Sequence, residues 1–385
     1  MTRWEDFAVD PDIKRAEGLP ARAFTEPEFL ARELETIFER AWLIVPEATA
    51  GAHGQELDAR PLLQQASSRG SRVPIGQLGR PLFLQRGWED DELRCFANTC
   101  THAWYPLVIG ASRGPTLVCA QHGRRFDCAG KFVSQPGFQG MPDFPRDCDH
   151  LAPIAIAPWR GLLFTRFAPS GPSFAETMKP VDESLAALPP EMERTSAPGE
   201  VREVAGNWKQ HVWNYLDRFH IAFIHRAPGG LADYCDLGSY TTEIHDRSVL
   251  QWVYATNAED GFDPSQVPAR FHDPKGRRVF ALWWYVWPNL TLNFYPWGLS
   301  INVYQPIAGR PDATRFLWYH LVLDAAKHAE RDRRWLSAQV DAEDIDALAQ
   351  VSRGLRSGFA PRGRFAPAEE KAAHWFHHAV SRAIA

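Results

Sequence analysis

The sequence predicts an α+β protein of two domains: a small antiparallel β-domain, then a larger one with an antiparallel sheet flanked by helices. Three observations carry this. From Ala41 to Phe167, short β-rich runs alternate with Gly- and Pro-containing turns. Residues 244–325 hold longer β-rich runs in succession. The first fifty residues carry apolar side chains at helical spacing, and the chain from Asp324 onward is helical in composition and charge pattern. At 385 residues the chain also exceeds what one core usually serves.

In chain order, Thr25 and Glu28 make a capping box, and Pro27 suits a first helical turn. Phe29, Leu30, Leu34, Ile37, Phe38, Ala41 and Trp42 then recur on one face, which makes this helix a packing element. The small domain's strands include Pro81 to Gln85, Leu93 to Ala97 and Gly161 to Thr165, with turns at Gly110 to Pro115 and Gly137 to Pro142. Residues 170–200 are a connection with one short helix. The larger sheet takes Val249 to Thr256, Arg278 to Val286, Leu290 to Tyr295, Leu299 to Gln305 and Thr314 to Leu323. The expected division is 1–44, a helical segment packing on the larger domain; 45–167, the small domain; and 168–385, the larger one.

Composition narrows the function. A net charge of −5 suggests neither a nucleic-acid footprint nor attraction to anionic membranes. No apolar run reaches the roughly 18 residues of a membrane span. The start, Met1 to Asp6, lacks a signal-peptide core, so a cytoplasmic location is expected. Cys95, Cys128, Cys148 and Cys235 form no expected disulfide framework in so large a chain without a secretion signal.

Two constellations carry chemistry. The first is Cys100-Thr101-His102 followed, sixteen residues on, by Cys119-Ala120-Gln121-His122. Each arm holds one thiolate and one imidazole. A Rieske [2Fe–2S] centre needs that mixture, with two Cys on one iron and two His on the other. Two loops clasping such a cluster, each giving one ligand to each iron, read as C-x-H…C-x-x-H. Structural zinc also accepts two Cys and two His, but it usually keeps like ligands together.

The second runs from Asn207-Trp208-Lys209 to His225. On a helix, Asp217 and His220 share a face. His225 lies about 140° further round an ideal helix, so both histidines can ligate one ion only if the helix ends or distorts between them. Pro228-Gly229-Gly230 marks its end nearby. Two imidazoles and a carboxylate make a non-haem Fe(II) triad, with positions open for O₂ and substrate. Alone, this spacing also suits structural histidines; its weight comes from standing beside the first ligand set. The run Asp341-Ala342-Glu343-Asp344-Ile345-Asp346 could supply the carboxylate or simply be a solvated helix face.

Together these segments resemble the α-subunit of Rieske non-haem iron oxygenases, a family that includes ring-hydroxylating dioxygenases and choline, carnitine and glycine-betaine oxygenases. The resemblance covers nearly the whole chain: Phe38-Glu39-Arg40-Ala41-Trp42, both cluster arms, the Asn207 to His225 segment, and Glu343-Asp344 with Arg353-Gly354-Leu355. It implies a helix-grip-like larger domain. It implies that Cys100, His102, Cys119 and His122 hold the cluster, that His220, His225 and Asp344 hold Fe(II), and that Asp217 bridges electrons between the centres across a subunit boundary. O₂ would be the co-substrate. A separate NAD(P)H-linked reductase, with or without a ferredoxin, would supply electrons, since no G-x-G-x-x-G occurs here. A head-to-tail ring, a homotrimer, would follow. The sequence departs from the family at Ala103-Trp104, where Arg-Gly is usual, and at Arg124, where Trp is usual.

The expected reaction is hydroxylation of an organic substrate, including oxidative N-demethylation of a quaternary ammonium or methylated amine. The alternatives are aromatic-ring dioxygenation and an electron-transfer Rieske protein lacking mononuclear iron; a zinc-stabilised binding protein is a third class. The intact His220, His225 and Asp344 set favours the oxygenase. The Trp283-Trp284-Tyr285-Val286-Trp287 stretch has two readings, an aromatic cage for a cation or sheet core, of which core is favoured. The text from Pro288 to Asn302 resembles the choline- and betaine-oxidising branch more than the naphthalene type.

Overall fold

The short runs of the small β-region pair as expected. In the computed structural model, which describes residues 3–46, 60–190, 192–194, 200–226, 230–334 and 337–385, they build a unit spanning Trp42–Gly171. Its main sheet runs Leu43–Ile44, Leu162–Arg166, Pro153–Trp159, Leu93–Ala97, Arg80–Arg86, Ser71–Gln77, Ser112–Arg113, all antiparallel. Leu78 and Gly79, both at positive φ (51° and 76°), turn the Ser71–Gln77 strand into its neighbour, the conformation a two-residue hairpin needs. Val73, Ile75, Leu82, Leu84, Cys95 and Leu163 fill one core. A second sheet of Thr116–Val118, Arg125–Asp127 and Phe132–Ser134 contributes to another, through Leu117 and Phe126 against Phe83 and Phe96.

The other unit joins Met1–Ala41 to Pro172–Ala385. Its antiparallel sheet runs Glu193–Arg194, Arg310–Val322, Gly298–Ile307, Leu290–Tyr295, Val279–Val286, Ser248–Tyr254, Thr241–Ile244, and Glu200–Ala205 also pairs with Arg310–Val322. The polar strands Glu200–Ala205 and Thr241–Ile244 had no apolar run to announce them. Val279–Val286 is buried along its whole length. Helices Trp208–Leu216, Ser337–Leu355 and Lys371–Ile384 belong to this unit. Tyr285 and Trp287 pack against Trp375 and Phe376 of the last.

The N-terminal segment differs from its sequence reading. The Thr25 capping box does not form, because Thr25 ends a short preceding helix, Arg22–Thr25, and its hydroxyl donates back to the Ala21 carbonyl. Pro27 does open the helix Pro27–Glu33, which passes into a π-turn at Leu34–Phe38. This helix also carries an ion pair. Lys209 Nζ lies 2.8 Å from Glu33 Oε1, both side chains fully buried, and Trp208 Nε1 donates to Glu33 Oε2 at 3.0 Å. Burial pushes the Glu33 pKa up and the Lys209 pKa down. All six cysteines are free thiols. Among the described residues no helix is long and apolar enough to cross a membrane.

Candidate active site

The first set of ligand-type residues sits on two loops of matching construction. Cys100 N–H donates to the Tyr105 carbonyl and Trp104 N–H to the Cys100 carbonyl, both at 2.9 Å. Cys119 N–H donates to the Arg124 carbonyl at 2.8 Å and Gly123 N–H to the Cys119 carbonyl at 2.9 Å. Each loop is thus a six-residue turn opening on Cys, with its fifth residue in the left-handed region, Trp104 at φ 61° and Gly123 at φ 70°. Such backbone suits glycine. Trp104 takes it with its side chain 81% exposed. Cys100 and Cys119 are buried in one core, and the His102 and His122 ring centroids are 4.7 Å apart.

This arrangement fits a cluster with two thiolates and two imidazoles. Burial raises the Cys100 thiol pKa, while the N–H groups of His102 and Ala103 aim at its sulfur and pull the other way. Around the loops runs a polar network that sequence reading missed. The buried Arg124 guanidinium donates to Gln135 Oε1 (2.5 Å) and Thr101 Oγ1 (2.7 Å), and pairs with Asp149 at 3.3 Å. Because Gln135 Oε1 is committed to Arg124, its Nε2 is the donor to His102 Nδ1, at 3.0 Å. His102 therefore carries its proton on Nε2 and its lone pair on Nδ1. The departure at Arg124 has a structural counterpart: this side chain ties Thr101 in the first loop to its own, second loop.

The second set forms where the Trp208–Leu216 helix breaks. Asp217 is extended (φ −92°, ψ 97°), and its Oδ1 accepts from Phe219 N–H at 2.8 Å, capping the 3₁₀ turn Arg218–His220. The winding becomes α at Ile221–Ile224 and stops at His225. The main break expected between the histidines thus falls before His220, leaving only a change of winding between them. Gly230 precedes the next short helix, and Pro228 and Gly229 lie outside the described residues.

His220 Nε2 and His225 Nε2 come within 3.2 Å, and Asp344 Oδ1, from the Ser337–Leu355 helix, lies 3.1 Å from His225 Nε2 and 3.7 Å from His220 Nε2. Asp344 Oδ1 is buried without a hydrogen-bond partner. Crowded acceptor atoms with an orphaned carboxylate oxygen are what a cation would satisfy. Among the described residues this is the one such group of His, Cys, Asp or Glu. Asp217 Oδ2 stands 3.8 Å from His220 Nδ1. Glu343 Oε2 accepts from His225 Nδ1–H at 2.8 Å, which leaves the Nε2 lone pair facing the centre. Burial lowers the His225 pKa, but the carboxylates of Asp344 and Glu343 more than offset it and the net shift is upward.

Beside this set lies a cavity of about 130 Å³. The sheet register builds its wall. Gln251, Trp283, Asn293 and Ser300 are cross-strand partners in one row, and Asn302 pairs with Trp318 on the next. Tyr215, Tyr240, Tyr295, Tyr304 and Phe316 complete the aromatic lining. Of the Trp283–Trp287 aromatics only Trp283 lines it, donating to Tyr295 OH at 2.9 Å. Trp284 donates to Ser184 and Tyr285 to the Pro288 carbonyl, both within buried packing.

The family model for the ring-hydroxylating alpha subunit (catalytic domain) matches residues 191–385, and that for the Rieske [2Fe–2S] domain matches residues 62–145. The chain belongs to the Rieske ring-hydroxylating alpha-subunit family. This oxygenase is 25% identical to a carnitine monooxygenase oxygenase subunit of Acinetobacter pittii (strain PHEA-2), covering 94% of this chain and 91% of the relative. It is 28% identical to a chloroplastic choline monooxygenase of Arabidopsis thaliana, covering 96% and 83%. In fold it matches a quaternary ammonium Rieske monooxygenase solved with L-carnitine (TM-score 0.66, 18% identity, 99% and 98% covered). It also matches naphthalene 1,2-dioxygenase from Rhodococcus sp. bound to indole (TM-score 0.67, 18% identity, 95% and 93% covered).

The oxygenase therefore works with a [2Fe–2S] cluster and a mononuclear iron, and its reaction incorporates oxygen into an organic molecule. Sequence reading named Glu343 only as Asp344's neighbour in a motif. It named Arg124 only as a departure from the family, and it missed its partners Gln135 and Asp149 and the wall residues Gln251, Asn293 and Asn302. The alternation along residues 290–305 could have sorted faces, but not which face meets the histidines.

Proposed function

We propose that this oxygenase hydroxylates a small quaternary ammonium or methylated amine, and that a hydroxylated N-methyl group leaves as formaldehyde. The observation that carries this is the wall facing His220, His225 and Asp344. It lines a cavity near the roughly 150 Å³ that admits benzene with the aromatic side chains of Trp283, Tyr240, Tyr295 and Trp318. The names of the carnitine and choline monooxygenase relatives support the same substrate class.

In this reading Trp42–Gly171 is the electron-accepting unit, with Cys100, His102, Cys119 and His122 as cluster ligands. The rest of the chain is the catalytic unit, with His220, His225 and Asp344 as iron ligands. With both groups bound, these residues would hold a cluster supplying single-electron storage and an iron supplying O₂ activation. Glu343 holds the His225 tautomer with Nε2 free for the ion, and the aromatic part of the wall keeps water from the reacting carbon. Asp217, 3.8 Å from His220, would be the bridge toward a cluster held in the neighbouring subunit of a homotrimeric ring. A separate NAD(P)H-linked reductase, with or without a ferredoxin, supplies electrons, and the protein works in the cytoplasm.

The test is to reduce purified, iron-loaded protein and admit O₂ with a panel of methylated amines and aromatic acids. Products are read by mass spectrometry and formaldehyde assay. Formaldehyde from a methylated amine, lost in His220→Ala, is the expected result. A diol or phenol would overturn the substrate class in favour of ring dioxygenation.

A further inference from the structure

Building on that reading, we propose that the cavity selects a small ammonium ion bearing a hydrogen-bond donor such as a hydroxyl, and rejects ammonium compounds bearing a carboxylate. Three features of the wall point to it.

The first is charge. Among the described residues lining the cavity there is no Lys or Arg, so a substrate carboxylate meets no cation among them. The non-ligand histidine on the wall, His211, is uncharged: burial pulls its pKa down to about 4, and its Nε2–H is committed to the Ala205 carbonyl at 3.1 Å. The Asp341 carboxylate lies on the same wall, and its field adds to burial in raising the Tyr304 pKa. With a divalent ion on His220, His225 and Asp344, the carboxylates of Asp344 and Glu343 offset its two charges, and Asp341 adds a further carboxylate to the wall.

The second is hydrogen bonding. Gln251 is 1% exposed, and its Nε2 donates to the Tyr215 carbonyl at 3.0 Å, so the amide orientation is set. Its Oε1 is buried and accepts nothing. Asn302, 8% exposed on the same wall, likewise has a buried Oδ1 with no partner. Two orphaned acceptors favour a ligand that donates and disfavour one presenting further lone pairs. The third is the aromatic lining, which suits the apolar, positively charged methyl shell of an ammonium group.

The test is equilibrium binding to the full-length, Fe(II)-loaded protein under anaerobic conditions, by calorimetry. The probes are choline, glycine betaine, 3,3-dimethylbutan-1-ol (a neutral isostere of choline), and indole and benzoate as aromatic probes. Choline is expected to bind roughly tenfold or more tighter than glycine betaine, and roughly threefold or more tighter than the neutral alcohol. In Asp341→Asn the choline-to-betaine ratio is expected to fall by roughly threefold or more. Betaine binding as tightly as choline would overturn the carboxylate exclusion and leave the proposed function standing. Neutral alcohol binding as tightly as choline would overturn cation selection. Binding of indole or benzoate with no binding of any ammonium probe would overturn the proposed function itself. The wild-type comparison decides the question even if the variant fails to fold.

Discussion

Replacing Glu343 by Ala should loosen the mononuclear iron and leave the cluster untouched. Glu343 Oε2 accepts the His225 Nδ1–H at 2.8 Å. A hydrogen bond to a charged group contributes about 1.5–3 kcal/mol. The Glu343 side chain is 22% exposed, so water restores part of it and the lower half of that range applies. Roughly 1.5–2 kcal/mol is about a 10- to 30-fold loss in Fe(II) affinity, within the range typical of outer-sphere partners. Glu343→Gln keeps an acceptor without its charge and should lose only about threefold. The assay is anaerobic competition with a chromogenic Fe(II) chelator, with the EPR signal of the reduced cluster as internal control. Glu343→Ala holding iron as tightly as the parent would refute the claim that this contact orients His225.

Three further outcomes follow from other parts of the fold. Lys209→Met strands the Glu33 carboxylate in the core and should cost about 3–5 kcal/mol in urea unfolding, with most of it recovered in Glu33→Leu/Lys209→Met; a single-variant loss below about 1 kcal/mol would contradict the buried pair's role. Trp104→Gly removes a left-handed, non-glycine residue and should stabilise the protein by about 1 kcal/mol in thermal melts, whereas a loss would mean that the exposed indole holds the loop. His377 is fully buried, its pKa is drawn down to about 3 by burial, and its Nδ1 accepts from Leu19 N–H at 3.0 Å. Since its unfolded value is near 6.5, the unfolded chain binds the extra proton, and stability present above pH 6.5 is lost as pH falls toward 3. Between pH 7 and pH 5 that loss is about 2 kcal/mol, and His377→Asn, which keeps an acceptor for Leu19, should flatten the profile by that amount; an unchanged slope would refute it.

What could be read from the chain was what lies close together in it. Each Cys–His loop is a six-residue turn that brings its own Cys and His together, so C-x-H and C-x-x-H are local patterns whatever the rest of the fold does. His220 and His225 likewise belong to one short segment, and the strand runs Leu93–Ala97 and Leu290–Tyr295 are legible because alternation is local. Thr25 was misread because it ends the short Arg22–Thr25 helix, where its hydroxyl donates back to Ala21 instead of capping the next helix.

The sequence by itself determined the α+β class and the family, and it placed the candidate Cys and His donors in short motifs, whereas Asp344 came only from the resemblance. Only the tertiary structure decided what surrounds those donors. Glu343 meets His225, and Gln135 meets His102, across long separations that no spacing rule spans. The cavity wall exists only because strand register sets Gln251, Trp283, Asn293 and Ser300 side by side, and a one-residue slip in any strand would turn its contribution to the opposite face. The candidate Cys and His donors are therefore written in short motifs, while Asp344 reaches the histidines from a distant helix. Substrate preference arises from which side chains long-range pairing aims at those donors, which depends on the whole sheet at once.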